Sequence, residues 1–215
     1  MHQKYFPGET KKEKIGKKTP RSERPPIQDC LKKGDIIDVQ VIKEGIGTKG
    51  PTLSSNLAIP GRYLVMFPWQ DGAGVSRNDV DEEVRRKTRE IVKSLEKPHE
   101  DAGLVARTAA FGKTATDLKR DVAYLKRLWK TIETRIEKAG VPCELYTESD
   151  LVLRTIRDQL GPEITKIVVD SESAYERVTA FLSVVAPRSA PPVVLYDRPT
   201  PLFHAYRCLL YTSPS

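Results

Sequence analysis

Apolar and polar residues alternate along "DIIDVQVIKE" from Asp35, and the alternation resumes in "PTLSSNLAIPG" and "RYLVMFP" after the turn "EGIGTKGP". A period of two broken by tight turns predicts strands, so the chain from Asp35 to Leu64 reads as a β module. Lys49, among Gly45, Gly47 and Gly50, projects from its hairpin-like turn. The period then lengthens. In "SRNDVDEEVRRKTREIVKSLEK" the residues Val80, Val84, Ile91, Val92 and Leu95 share one helical face, with Asp79 and Glu82 as a capping pair and Pro98 as the stop. "GLVART" predicts a short strand. Beyond it Leu118, Val122, Leu125, Trp129, Ile132 and Ile136 form the stripe of a long helix, begun by Thr114 and Asp117 and stopped by Gly140. Trp129 lies on that stripe, which makes it core rather than a platform for bases. Past Val141, "CELYTE", "DLVLRTIRDQLG", "ITKIVVDS", "SAYERVTAFLSVVA" and "PVVLYD" alternate strand and helix, as in an α/β unit with at least partly parallel strands. The final "CLLYTSPS" fits no pattern before it and is expected to be a truncated or foreign tail.

Charge adds a partner class. Lys and Arg number 36 against 29 Asp and Glu, for a net charge of +7 and a pI near 9.2, which suits a polyanion such as nucleic acid. The excess concentrates in Lys4, Lys11, Lys12, Lys14, Lys17, Lys18, Arg21 and Arg24, closed by Pro20, Pro25 and Pro26. This reads equally as a mobile basic arm or as a solvated loop. No apolar run approaches a membrane span and the first residues lack a signal-peptide centre, so the expected location is the cytoplasm. Cys30, Cys143 and Cys208 are too scattered for a disulfide framework, and without a Cys-x-x-Cys pair they make no zinc motif.

The candidate chemistry centres on "VARTAAFGKTATDL", residues 105–118. Gly112, Lys113 and Thr114 before a helix look like the end of a phosphate-binding P-loop. That loop needs a glycine five positions before its Gly-Lys-Thr, and Arg107 stands there. A phosphate read in this segment would meet a guanidinium instead of a glycine cradle, and a P-loop nucleotidase is set aside. His2, His99 and His204 lie far apart with no nucleophile completing a triad. Asp158 and Asp170 show no metal constellation, and no catalytic residue is assigned.

Taken together and in order, "LKKGDIIDVQVIKEGIGTKGPTLSSNLAIPGRYLVMFP", "GVSR", "GLVARTAAFGK", "ESDLVLRTIRDQL" and "YDRPTPLFHAY" closely resemble the ribonuclease E/G family of bacterial endoribonucleases. The resemblance runs from about Tyr5 to Tyr206. It implies a mixed α+β and α/β fold: a partial S1 (OB-type) β-barrel, a helix-containing 5′-sensor region, and an RNase H-like α/β subdomain without RNase H catalysis. The implied division is a basic flexible segment over 1–28, the second half of the S1 domain over 29–55, the sensor over 56–140, the RNase H-like part over 141–208, and the tail 209–215.

The resemblance further assigns Arg107 and Thr108 to a pocket that reads a 5′-monophosphate on RNA. Such a phosphate is nearly dianionic with three acceptor oxygens, which a forked guanidinium and a short hydroxyl match. Gly61 and Val65 take the family's other sensor positions, glycine letting backbone approach the terminal nucleotide and valine supporting the arginine. Lys49 and Arg77 match residues along the RNA path, while Lys113 lies near the pocket and is not counted as a ligand. The implied activity is cleavage of single-stranded RNA in rRNA and tRNA processing and mRNA decay, by a homo-oligomer using Mg²⁺ with zinc at a link between protomers. The aspartates, asparagine and cysteines that hold those metals in the family are not matched here, so the chain itself is expected to be inactive. An alternative is a non-catalytic S1-type RNA-binding module.

Overall fold

The computed structural model describes residues 13–15, 20–76, 81–147, 150–161, 163–187 and 190–208. They fall into two compact units, Met1–Cys143 and Glu144–Ser215.

The core of the first unit is a four-stranded sheet made of β4 (Ile59–Pro60), β5 (Leu64–Phe67), β7 (Ala73–Val75) and β8 (Gly103–Ala106), in the order β4-β5-β8-β7. β4, β5 and β8 are antiparallel and β7 joins β8 in parallel. Alternation decides the faces. Leu64 and Met66 are fully buried and pair with buried Ala106 and Leu104, while Val65, opposite Val105, lies on the other face. The helix α3 (Ala115–Lys138) packs against β5 through the predicted stripe: Leu118 and Leu125 are fully buried, and Val122, Trp129 and Ile132 are nearly so. Its start is a reciprocal capping box in which Thr114 and Asp117 each bond the other's backbone N–H. The stripe ends sooner than predicted. Ile136 is 38% exposed, in a last turn where Arg135 to Lys138 all face solvent beyond the core.

The helix α2 (Glu82–Ser94) packs on β7 and β8. Its cap is Asp81, whose carboxylate accepts from Glu83 N at 2.7 Å, so Glu82 opens the helix and does not close a capping box from Asp79. Asp79 and Val80 lie outside the described residues. The helix ends at Ser94, before Pro98.

The β module is less regular than its alternation predicts. Before β4 its strands are Gln40–Lys43 (β2) and Thr52–Ser54 (β3), antiparallel with a register slip between Val41 and Lys43. Their turn closes through mutual Ile46 and Lys49 backbone bonds, with Gly47 at φ 60°. The Gln40 side chain ties this ribbon to the entry of β4 by bonding both Ala58 N and Ala58 O. Part of the basic segment is also anchored. Glu13–Lys14 (β1) pairs in parallel with Gln70–Asp71 (β6), and Ile15 fits over glycines, since a Cβ at Gly103 would lie 2.4 Å from its Cδ1. A short helix, α1 (Ile27–Cys30), follows.

Trp129 is 4% exposed, edge-on to Trp69 and stacked 5.5 Å from His99. Burial lowers the pKa of His99 from the ordinary 6.5, against the raising influence of Glu133 and Asp101. The fold therefore favours the neutral ring. Its contribution to stability is full above the unfolded value and is lost as pH falls below it, because the unfolded chain then binds more protons. Melting temperature should drop between about pH 7 and 5, and His99→Phe should flatten that slope. An unchanged slope in the variant would assign the pH dependence elsewhere.

In the second unit the strands β9 (Ile167–Val169) and β10 (Val193–Leu195) are parallel, joined through α5 (Glu172–Val185), which gives the expected β-α-β order. Ser171 caps α5, and Val178 and Leu182 are its buried contacts. α4 (Leu151–Gln159), capped by Asp150, packs against α5, and α6 (Leu202–Ala205) closes the described part. "CELYTE" is not a strand. Its described residues, 143–147, pair with none of the described strands, and Cys143, Glu144 and Thr147 are exposed. Asp158 engages neighbouring Arg157, and Asp170 follows β9 in an exposed position.

Candidate phosphate-reading site

The turn between β4 and β5 and the end of β8 meet at one end of the sheet, where the two central strands β5 and β8 pair. Gly61 N donates to Leu64 O at 2.7 Å, closing the turn. Arg107 follows β8 directly and extends its ladder, since Arg107 N donates to Tyr63 O at 2.8 Å. Its guanidinium folds back onto the same turn: Nη1 donates to Gly61 O at 2.6 Å and to Arg62 O at 3.1 Å. The arginine is thus fixed at both its backbone and its fork. Thr108 comes next, exposed, at the start of a 3-10 turn over Thr108–Ala110.

The structure brings Gly61 and Arg107 together and leaves Thr108 beside them. Gly61 has a packing reason to be glycine. A Cβ there would lie 2.7 Å from both carboxylate oxygens of Asp121, so the space a side chain would need is occupied by an acid from α3. Val65 faces Val105 across the strand pair, two residues before Arg107. Lys49 is exposed, and its backbone bonds stay within the β2–β3 turn. Arg77 lies outside the described residues.

The Gly-Lys-Thr stretch makes no phosphate cradle. Gly112 turns the chain at φ 72°, and the Thr114 hydroxyl is engaged with Asp117 as the α3 cap. Lys113 is exposed, with Nζ 5.7 Å from the Tyr63 ring centre, and the Arg62 guanidinium lies 5.1 Å from the same centre. Tyr63 and these cations surround the turn that holds Arg107.

Sequence reasoning missed Asp121. Its carboxylate accepts from Arg62 N at 2.9 Å, Tyr63 N at 2.8 Å and Leu64 N at 2.7 Å. Burial pushes its pKa up, against those donors and the nearby Arg107 charge. The signal was available: an acid between Leu118, Val122 and Leu125, on a stripe otherwise apolar. Among the described residues no group of three or more His, Cys, Asp or Glu converges where it could hold a metal ion. No helix among them is long and apolar enough to cross a membrane.

These features define a mixed α and β protein with an anchored arginine at the end of a central strand. Residues 58–209 match the model of the ribonuclease E/G family. Ribonuclease G of Haemophilus influenzae is 34% identical over 180 residues, covering 84% of this chain and 36% of that protein. Ribonuclease E of the same organism is 34% identical over 184 residues, which is 86% of this chain and 20% of that protein, and ribonuclease E of a Nostoc species is 35% identical over 171 residues, or 80% and 25%. The chain belongs to the ribonuclease E/G family. It spans about a third of the length of its ribonuclease G relative.

Proposed function

We propose that this chain forms the RNA-end-reading part of an endoribonuclease that cleaves single-stranded RNA in RNA processing and decay, with Arg107 and Thr108 receiving a 5′-monophosphate. The observation that carries the reading is the anchoring of Arg107 by the Gly61 and Arg62 carbonyls, next to an exposed hydroxyl at Thr108. A guanidinium held by its neighbours meets a phosphate at little further entropic cost, and the pair is charge-assisted. A hydroxyl-ended RNA offers it no anion.

In this reading the ribbon carrying Lys49 belongs to an S1-type domain and Lys49, with Arg77, contacts the RNA backbone without reading its end. Hydrolysis, with Mg²⁺, and the zinc link in a homo-oligomer are assigned to the whole enzyme.

Thr108→Val keeps the side-chain shape and removes the hydroxyl. It should weaken binding of 5′-monophosphorylated RNA by about ten-fold, the low end for a hydrogen bond to a charged acceptor because the hydroxyl donor is itself uncharged, and leave 5′-hydroxyl RNA unchanged. Fluorescence anisotropy with the two oligoribonucleotides measures both. Equal weakening on both ends would remove Thr108 from the phosphate site.

A further inference from the structure

Asp121 is a charged residue, 6% exposed, on a helix face whose other members are apolar. Such a group is retained at a cost unless its acceptors are satisfied. The arrangement of its partners goes beyond satisfaction. In the peptide group joining Gly61 to Arg62, the N–H donates to Asp121 Oδ1 and the C=O accepts from Arg107 Nη1. In the next, joining Arg62 to Tyr63, the N–H donates to Oδ2 and the C=O again accepts from Nη1. In the third, joining Tyr63 to Leu64, the N–H donates to Oδ2 and the C=O accepts from Arg107 N. Three consecutive peptide groups thus each bridge the carboxylate to the arginine.

A peptide group polarised by an anion at its N–H is a better acceptor at its C=O, and one aligned between an anion and a cation is also fixed in orientation. Gly61 completes the fit, because any Cβ there would strike the carboxylate. Building on the reading of Arg107 as the phosphate reader, we propose that Asp121 is its positioning residue, holding the 61–64 turn so that the guanidinium is presented in one orientation to a 5′-phosphate. Asp121 touches no RNA in this account.

The sign of one substitution separates positioning from field. Asp121→Asn removes a negative charge near Arg107, so a purely electrostatic role predicts tighter binding of a 5′-monophosphate. Positioning predicts the reverse: an amide has one acceptor oxygen and brings an N–H₂ against backbone donors, so the turn loosens and the arginine with it. Binding of 5′-monophosphorylated and 5′-hydroxyl oligoribonucleotides is measured by anisotropy for the wild type, Asp121→Asn, Arg107→Ala and the double variant. The expected result is a fall of about three- to ten-fold in the preference for the monophosphate in Asp121→Asn, unchanged binding of the hydroxyl end, and no further fall on adding Asp121→Asn to Arg107→Ala.

A preference lost in Arg107→Ala but kept or increased in Asp121→Asn overturns the positioning role and leaves the phosphate reading standing. A wild type without preference removes the phosphate reading and this role together. Should Asp121→Asn not fold, amide hydrogen exchange on the wild type decides. Exchange at Arg62, Tyr63 and Leu64 should slow with the monophosphorylated oligonucleotide and not with the hydroxyl one, because a ligand that binds only the ordered turn stabilises it. Equal rates with both overturn the proposal.

Discussion

Arg107→Ala should weaken binding of 5′-monophosphorylated RNA by about ten-fold or more while hydroxyl-ended RNA is held almost as before. A charge-assisted bond to phosphate is worth roughly 1.5–3 kcal/mol, and only the charged end supplies its acceptor. The substitution also removes the bonds from Nη1 to Gly61 O and Arg62 O, so the turn is expected to loosen somewhat. The backbone bond from Arg107 N to Tyr63 O survives it, which keeps β8 in register with β5. Arg107→Lys should recover part of the affinity and little of the discrimination, since a point charge lacks the fork. Binding isotherms on both RNA ends check this. Equal losses on both would make Arg107 a general backbone contact or a structural support.

Trp129→Ala should cost about 3–5 kcal/mol of folding stability, the range for removing a large buried aromatic. Trp129 is almost wholly buried on the face of α3 that carries the core, and both Trp69 and His99 pack on its ring. Truncation leaves a cavity beneath the sheet and unpairs two aromatic neighbours. Urea denaturation followed by circular dichroism reads the loss as an earlier midpoint. Under conditions where the variant remains folded, its preference for monophosphorylated RNA should persist. Unchanged stability with lost RNA binding would mean that Trp129 is a surface for bases.

The parts of this fold that rest on local chemistry were legible in the sequence. The α3 stripe from Leu118 to Ile132 and the helix start at Thr114 and Asp117 are set by spacing within a few residues, and the structure reproduces both. The missing glycine at Arg107 excluded a P-loop, and the structure spends Thr114 on the helix cap. What was not legible depends on distant partners. The early end of the apolar stripe at Ile136 and the anchoring of Glu13–Ile15 are set by which edges and faces find a neighbour, which periodicity does not encode. Gly61 shows the same limit, since the carboxylate that leaves no room for a side chain there belongs to Asp121, 60 positions later in the chain. Arg107 stood out in the sequence as the residue in place of a P-loop glycine, but the carbonyls that hold it, Gly61 O and Arg62 O, belong to the distant β4–β5 turn.

An anchored arginine that reads a 5′-phosphate must discriminate between the two RNA ends. The most direct test is the ratio of dissociation constants of the wild-type chain for one short oligoribonucleotide prepared with a 5′-monophosphate and with a 5′-hydroxyl, at one salt concentration near physiological. The account predicts about ten-fold or more in favour of the monophosphate, with the ratio collapsing toward one in Arg107→Ala. A ratio near one in the wild type would contradict it.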